Sequence, residues 1–314
     1  METTQLNTFF DHIKQQLPLC EGEMRRLFHG RGQTFQGLEQ ITADWIGKQL
    51  IVTLFKPVEE EFSQALKQGL TEFFSSSVWE AAGGTGIGLQ HRYQHGAPFE
   101  TIAGEIQENT IGIENGLKYQ LVLGKNQNMG IFLDMRLGRK WVQEHAQGKR
   151  VLNLFSYTCG FSVAAKAGGA EQVVNVDMAK GALSRGRENH RLNEHDVSDV
   201  TFMGYDIFRS WGKITKYGPY DLVVIDPPSF QKGSFALTKD YKRILRKLPT
   251  LLTEGGEVFA CVNSPVVSDD FLIDSMAEEA PELTFVERLA NPEEFADVDE
   301  QASLKVMIFT SKAE

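Results

Sequence analysis

From residue 149 onward the chain repeats one pattern, a short apolar run followed by a segment of helix length. The runs are VLNLF, QVVNVD, DVTFMG, YDLVVID and GEVFACV. Alternation of this kind specifies a parallel sheet whose right-handed crossovers cover both faces with helices. The last two runs, ELTFVERL and LKVMIFTS, are joined by an acidic loop with no long helix between them. They predict an antiparallel pair at the edge of the sheet. The expected architecture over 148–314 is a doubly wound α/β domain with a seven-stranded, mostly parallel sheet and an antiparallel last strand. A smaller α+β domain is expected over 1–100. It begins with an amphipathic helix carrying Leu6, Phe9, Phe10, Ile13 and Leu17 at helical spacing. Two strands (Ile41–Trp45 and Leu50–Leu54) and a helix (Phe62–Phe74) follow; the glycine run Gly83–Gly88 is read as a flexible loop, and LQHRYQ after it alternates like a strand. Segment 101–147 is expected to be a β-hairpin and connector, with GLKYQLVLG and GIFLDM as strands.

Charge narrows the function classes. The net charge is −10, with 3 basic against 15 acidic side chains over 251–314 but 14 against 10 over 151–250. A chain this acidic does not coat nucleic acid non-specifically, although a local basic patch remains available to an enzyme acting on RNA. Hydrophobic residues are 41% and charged residues 24%, enough apolar material for a true core. No apolar run reaches membrane-spanning length, and METTQLNTFFDHIKQQL lacks the charge-then-apolar order of a secretory signal. Three widely spaced cysteines (Cys20, Cys159, Cys261) fit a reducing compartment. The expectation is a cytoplasmic protein with no membrane partner.

The first chemical constellation is a strand, a tight turn and a helix. The strand Val151–Phe155 runs into Ser156-Tyr157-Thr158-Cys159-Gly160, and Phe161–Ala167 reads as a helix. In doubly wound sheets ligands bind at the carboxyl ends of strands, most often at this turn. Gly160 permits close approach of a ligand to the backbone, and the helix start attracts an anionic group such as a carboxylate. Asp177 closes the second strand, where a ribose diol would be held, and Asp206 follows the third, beside an adenine. A helix-capping role for either acid competes with this. The turn carries Gly160 alone rather than G-x-G-x-x-G, which argues against a nicotinamide cofactor and for an adenosine ligand without phosphates.

The second constellation, Asp226-Pro227-Pro228-Ser229-Phe230, closes the strand Leu222–Ile225. Two prolines make a stiff corner that fixes the Asp226 carboxylate and its neighbours. Fixed acceptors suit a nucleobase amino group, and Phe230 is positioned to stack on a base.

These segments resemble the class I S-adenosylmethionine-dependent methyltransferases, and within them the large-subunit ribosomal RNA methyltransferases. The resemblance is carried by VLNLFSYTCGFSVAAKAGGA (151–170), NVDMAKGAL (175–183), REN (187–189), DLVVIDPPSF (221–230) and, upstream, ENGLKYQLVLGKNQNMGIFLDMR (114–136). It covers roughly 105–314. It implies S-adenosyl-L-methionine as methyl donor, S-adenosylhomocysteine as product, and ribosomal RNA as partner. It further implies that Phe155, Ser156 and Gly160 lie along the cofactor, Asp177 on its ribose and Asp206 beside its adenine. Gln127, Phe132, Asp134 and Arg136 would close over it, and Asp226, Pro227 and Phe230 would face the methyl group and acceptor base. Cys159 stands where such turns often carry a small residue, and Ser229 departs from the aromatic usual in exocyclic-amine methyltransferases.

Substrate grip has one candidate. Lys239, Lys242, Arg243 and Arg246, with Lys247, fall on a single helical stripe and are expected to contact RNA phosphates. Arg25, Arg26, His29 and Arg31 form a looser basic cluster upstream. Covalent catalysis would need a thiolate, for which Cys261 is the candidate against a plain core role. Direct in-line transfer without it is the preferred expectation. His91 and His95 lack a third ligand, so no metal is expected. The competing hypotheses are a non-catalytic RNA-binding protein on the same fold and a methyltransferase with a non-RNA acceptor.

Overall fold

Two large β-sheets, of five and seven strands, organise the chain, the first over one apolar cluster and the second between two. The computed structural model describes residues 3–228, 230–231 and 235–311. They divide into one unit of Met1–Leu133 with Pro292–Asp299, and a second of Asp134–Asn291 with Glu300–Glu314. The stretch 101–147, expected as one connecting segment, is shared between the two.

In the first unit α1 (Leu6–Gln16) buries Leu6, Phe9 and Ile13, the apolar stripe of its sequence. Strands β1 (Arg25–His29), β2 (Ile41–Ile46) and β3 (Gln49–Leu54) form an antiparallel run. Helices α2 (Glu60–Phe74) and α3 (Ser77–Ala82) then carry the chain across to β4 (Gly86–His91), which lies parallel to β3, and β5 (Phe99–Gly104) completes the order β1-β2-β3-β4-β5. The glycine-rich stretch is therefore not a loop from Gly86 onward. A Cβ at Gly88 would run into the Phe99 ring, and one at Gly86 into the Glu105 carbonyl. The glycines let β5 close on β4. The hairpin β6 (Asn109–Glu114) and β7 (Leu117–Val122) is tied to the sheet through Gln49, whose Oε1 accepts from Gln107 N–H at 2.6 Å and whose Nε2 donates to Thr110 Oγ1 at 3.2 Å.

The second unit opens with a correction. GIFLDM is not a strand: Leu133–Met135 is a 3-10 turn leading into α4 (Arg136–His145). After it come β8 (Arg150–Leu154), α5 (Gly160–Ala167), β9 (Gln172–Val176), α6 (Lys180–Leu192), β10 (Val200–Met203), α7 (Trp211–Ile214) and β11 (Tyr220–Ile225). The chain continues through the short pair β12 (Phe230–Gln231) and β13 (Phe235–Ala236) to α8 (Leu237–Leu245), α9 (Leu248–Leu251), β14 (Leu252–Val262), α10 (Asp270–Glu279), β15 (Leu283–Arg288) and β16 (Lys305–Ser311). The sheet runs β10-β9-β8-β11-β14-β16-β15, and β16, the last strand, is antiparallel to both neighbours. Successive residues of β11 alternate between two cores: Val223 and Ile225 join one, Leu222 and Val224 the other. Burial on both faces explains why these strands read as continuous apolar runs. Among the described residues no helix is long and apolar enough to cross a membrane.

Candidate active site

β8 and β11 are neighbours at the centre of the second sheet, and from them the strand order departs in opposite directions. This is the switch point at which doubly wound sheets open a crevice beyond their carboxyl ends. The segment leaving β8 is tightly wound. Phe155 (φ 57°), Tyr157 (φ 46°) and Cys159 (φ 62°) all occupy the left-handed region, which costs about 1–3 kcal/mol each for residues with side chains. Backbone hydrogen bonds offset that cost. Ser156 N–H donates to Val176 O at 3.2 Å and Cys159 N–H to Ser156 O at 2.7 Å, while Tyr157 N–H donates to Asp177 Oδ2 at 2.8 Å. Cys159 is fully buried where α6 comes close, and a Cβ on Gly186 would strike its sulfur.

Asp177 thus braces the loop. Its other oxygen accepts the Ala179 N–H at 2.7 Å. Each oxygen spends one acceptor site on the backbone and keeps another for a diol. Asp206 caps the following turn, accepting Phe208 N–H at 2.8 Å, with Arg209 at 3.5 Å. Both acids thus hold backbone N–H groups, the role that competes with ligand binding in the sequence. Met178 (54% exposed) and Tyr205 (45% exposed) stand just past the ends of β9 and β10. They offer apolar surface beside the two acids. The sequence signal for them was a large apolar side chain directly after, or directly before, each acid.

The turn fits an adenosine with an anionic tail. Among the described residues Ser156 Oγ is buried without a full hydrogen-bond partner, the weakly polar Cys159 thiol beside it. A Cβ at Gly160 would approach nothing but Arg139 Cδ, at 3.3 Å, so the first turn of α5 is open to close approach.

At the end of β11, Pro227 is buried and Pro228 exposed. Ser229 lies outside the described residues. Phe230 opens β12 opposite Ala236, and its side chain also lies outside them. Burial, and secondarily the Asp134 carboxylate, pushes the Asp226 pKa up to about 7, against the opposing pull of Arg139. Arg139 is 4% exposed. Sequence reasoning missed it, although a charge falling on the stripe of Met135, Val142 and Ala146 was a readable signal. Asp134 accepts from Asn263 Nδ2 at 3.4 Å. Cys261 shares this face, but burial first, then Asp226 and Asp134, raises its thiol well above the ordinary range.

The remaining expected residues fall in different units. Asp134 and Arg136 belong to the second unit, at the start of α4, whereas Gln127 and Phe132 belong to the first and are exposed. The basic stripe is helical through Leu245, but it is not a free cationic face. Lys242 pairs with Glu278 and Arg246 with Glu279 of α10. Arg243 pairs with Asp240 at 2.8 Å and lies 4.2 Å over the Phe208 ring. Lys239 alone of the four is exposed without such a pair among the described residues. The sequence displayed the cations; it did not display the acids of a helix thirty residues on.

Comparison with known proteins places this geometry in a lineage. The chain is 30% identical over 307 residues to YwbD of Bacillus subtilis (strain 168), a protein whose name assigns it provisionally to the ribosomal RNA large subunit methyltransferases; the match covers 91% of this chain and 74% of that one. It is 32% identical over 228 residues to Ribosomal RNA large subunit methyltransferase I of Aeromonas salmonicida (strain A449), covering 70% of this chain but 56% of that protein. The crystal structure of SMU.776, provisionally named a methyltransferase and complexed with SAH, superposes with a TM-score of 0.83 at 26% identity over 96% of this chain and 81% of that one. The sequence profile of the S-adenosylmethionine-dependent methyltransferases matches residues 25–310, and the chain belongs to that family.

Proposed function

We propose that the protein methylates a base of large-subunit ribosomal RNA by direct in-line transfer. The observation that carries the chemistry is the convergence of three features at the carboxyl ends of β8, β9 and β11: the wound turn at 155–160, Asp177 and the Asp226 corner. The names of the relatives support the RNA acceptor. When bound, S-adenosylmethionine supplies an electrophilic methyl group on a sulfonium. Asp177 receives the ribose hydroxyls on its free lone pairs, Asp206, Met178 and Tyr205 bound the adenine, and Phe155, Ser156 and the N–H groups opening α5 take the remainder, with the carboxylate at the helix start. Asp134 and Arg136 belong to the same assignment.

Asp226 faces the acceptor, held by the proline corner with Phe230 beyond it. A carboxylate with a pKa near 7 accepts a proton from the base at physiological pH. This scheme does not use Cys261 as a nucleophile; burial first, then Asp226 and Asp134, raises its thiol above the ordinary range. Positioning then supplies much of the rate, roughly 7–11 kcal/mol for well-oriented pairs. The test uses unmodified large-subunit ribosomal RNA transcript and a tritiated methyl donor. Wild type labels the RNA, Asp177→Ala loses S-adenosylhomocysteine binding in calorimetry, and absence of label with wild type rejects the proposal. Lys239 remains a candidate RNA contact.

A further inference from the structure

With Lys242, Arg243 and Arg246 engaged by acids, a different cationic feature of the first unit bears on RNA. Arg26 on β1 gives two hydrogen bonds to Asp44, at 2.8 and 3.1 Å, and a third to His29 Nδ1 at 2.9 Å. Its guanidinium lies 4.6 Å over the Phe295 ring. Arg31 lies 4.4 Å over the Phe55 ring, and Arg92 approaches the same ring at 5.4 Å while donating to Asn128 Oδ1 at 3.2 Å. His29 adds no positive charge, since burial, Arg26 and Arg31 push its pKa down to about 3.

Three arginines therefore share one neighbourhood with one carboxylate, and Arg26 takes that carboxylate in both hydrogen bonds. Among the described residues neither Arg31 nor Arg92 has a carboxylate within ion-pair distance. Burial first, and then Arg26, lowers the proton affinity of Arg31, and burial, then Arg31 and Arg26, lowers that of Arg92, so the arginines also repel one another. The fold holds this repulsive group by bracing two planar cations on an aromatic ring rather than by neutralising them. Stacking occupies the guanidinium faces and leaves the N–H edges, which suit the paired oxygens of a phosphate. The chain as a whole is acidic, with a net charge of −10. A polyanion is admitted where the local field is reversed.

We propose that Arg31 and Arg92, braced on Phe55, form a contact for the RNA phosphate backbone on the first unit, made by residues other than those assigned to methyl transfer. The inference rests on the proposal that the substrate is RNA. It is tested by filter binding of unmodified large-subunit ribosomal RNA transcript over a potassium chloride series. The proteins compared are wild type, Arg31→Gln and the double variant Arg31→Gln/Arg92→Gln. The double variant is expected to bind roughly tenfold more weakly at low salt, with the slope of log K against log salt reduced by about 1 to 2. S-adenosylhomocysteine affinity stays unchanged. Arg31 is exposed and Arg31→Gln leaves Arg92 and its Asn128 bond in place, so this single variant keeps the test valid if the double variant folds poorly. Its slope falls by about 1. An unchanged affinity and slope in Arg31→Gln, with wild type binding and methylating the RNA, overturns this contact and leaves the function intact. Failure of wild type to bind or label the RNA overturns both.

Discussion

Asp226 shows how one residue serves stability and chemistry in opposite senses. Its pKa rises from the ordinary 3.8 to about 7 on folding. Between those values the folded state holds a proton that the unfolded state has released, so stability falls as pH rises from about 4 to 7. The ceiling on that cost is on the order of 4 kcal/mol, three units at about 1.4 each, reduced by whatever water reaches the carboxyl. Asp226→Asn removes the buried charge. It is expected to raise the unfolding temperature by several degrees at pH 8, with the gain vanishing near pH 4, and to abolish methyl transfer at either pH. Wild-type activity should climb through about pH 7 and level off. A flat stability difference across pH would mean that the carboxylate is not desolvated. The sequence made Asp226 legible because two prolines mark the corner. Arg139, which opposes the shift, was legible only as a charge on an apolar stripe, and its proximity to Gly160 and Asp226 depends on where α4 docks.

At the scale of elements, strands buried on both faces were readable because burial forces an uninterrupted apolar run, as in β8, β9 and β11. Two segments are hard to read for a common reason: their surroundings depend on a partner distant in sequence. The glycines of β4 look like a loop until Phe99 on β5 is seen to occupy the space of a side chain. Gly88→Ala is expected to destabilise the first unit by about 1–3 kcal/mol in chemical unfolding, through overpacking against that ring; a neutral result would show that Phe99 can move aside at little cost. The stripe on α8 looks like a nucleic-acid face until Glu278 and Glu279 on α10 are seen across from it. Lys242→Ala with Arg246→Ala should leave the salt slope of RNA binding unchanged and lower the unfolding temperature by no more than a few degrees, because exposed pairs contribute little. A shallower slope would return these residues to the RNA interface.

For the whole molecule, the relevant fact is that the two sheets bury separate clusters. One is built from α1 to β4, and two lie on the faces of the second sheet. Every strand-end feature assigned to the cofactor within 155–226 belongs to the second unit. A ligand that binds only the folded form stabilises it by mass action, about 2.7 kcal/mol when free ligand is a hundred times its Kd. Saturating S-adenosylhomocysteine should therefore raise the unfolding temperature of the second unit, and calorimetry should show no such rise in Asp177→Ala. That variant also loses both backbone hydrogen bonds that brace the turn at 157 and the start of the next helix. Its ligand-free unfolding temperature should consequently fall below that of wild type before any ligand is added. Asp177→Asn separates the two effects. Its amide oxygen can still accept one of the N–H groups while the ribose site loses an acceptor, so it should recover part of the ligand-free stability and little of the ligand-induced shift. Equal recovery of both would mean that Asp177 acts on the cofactor only through the loop it braces.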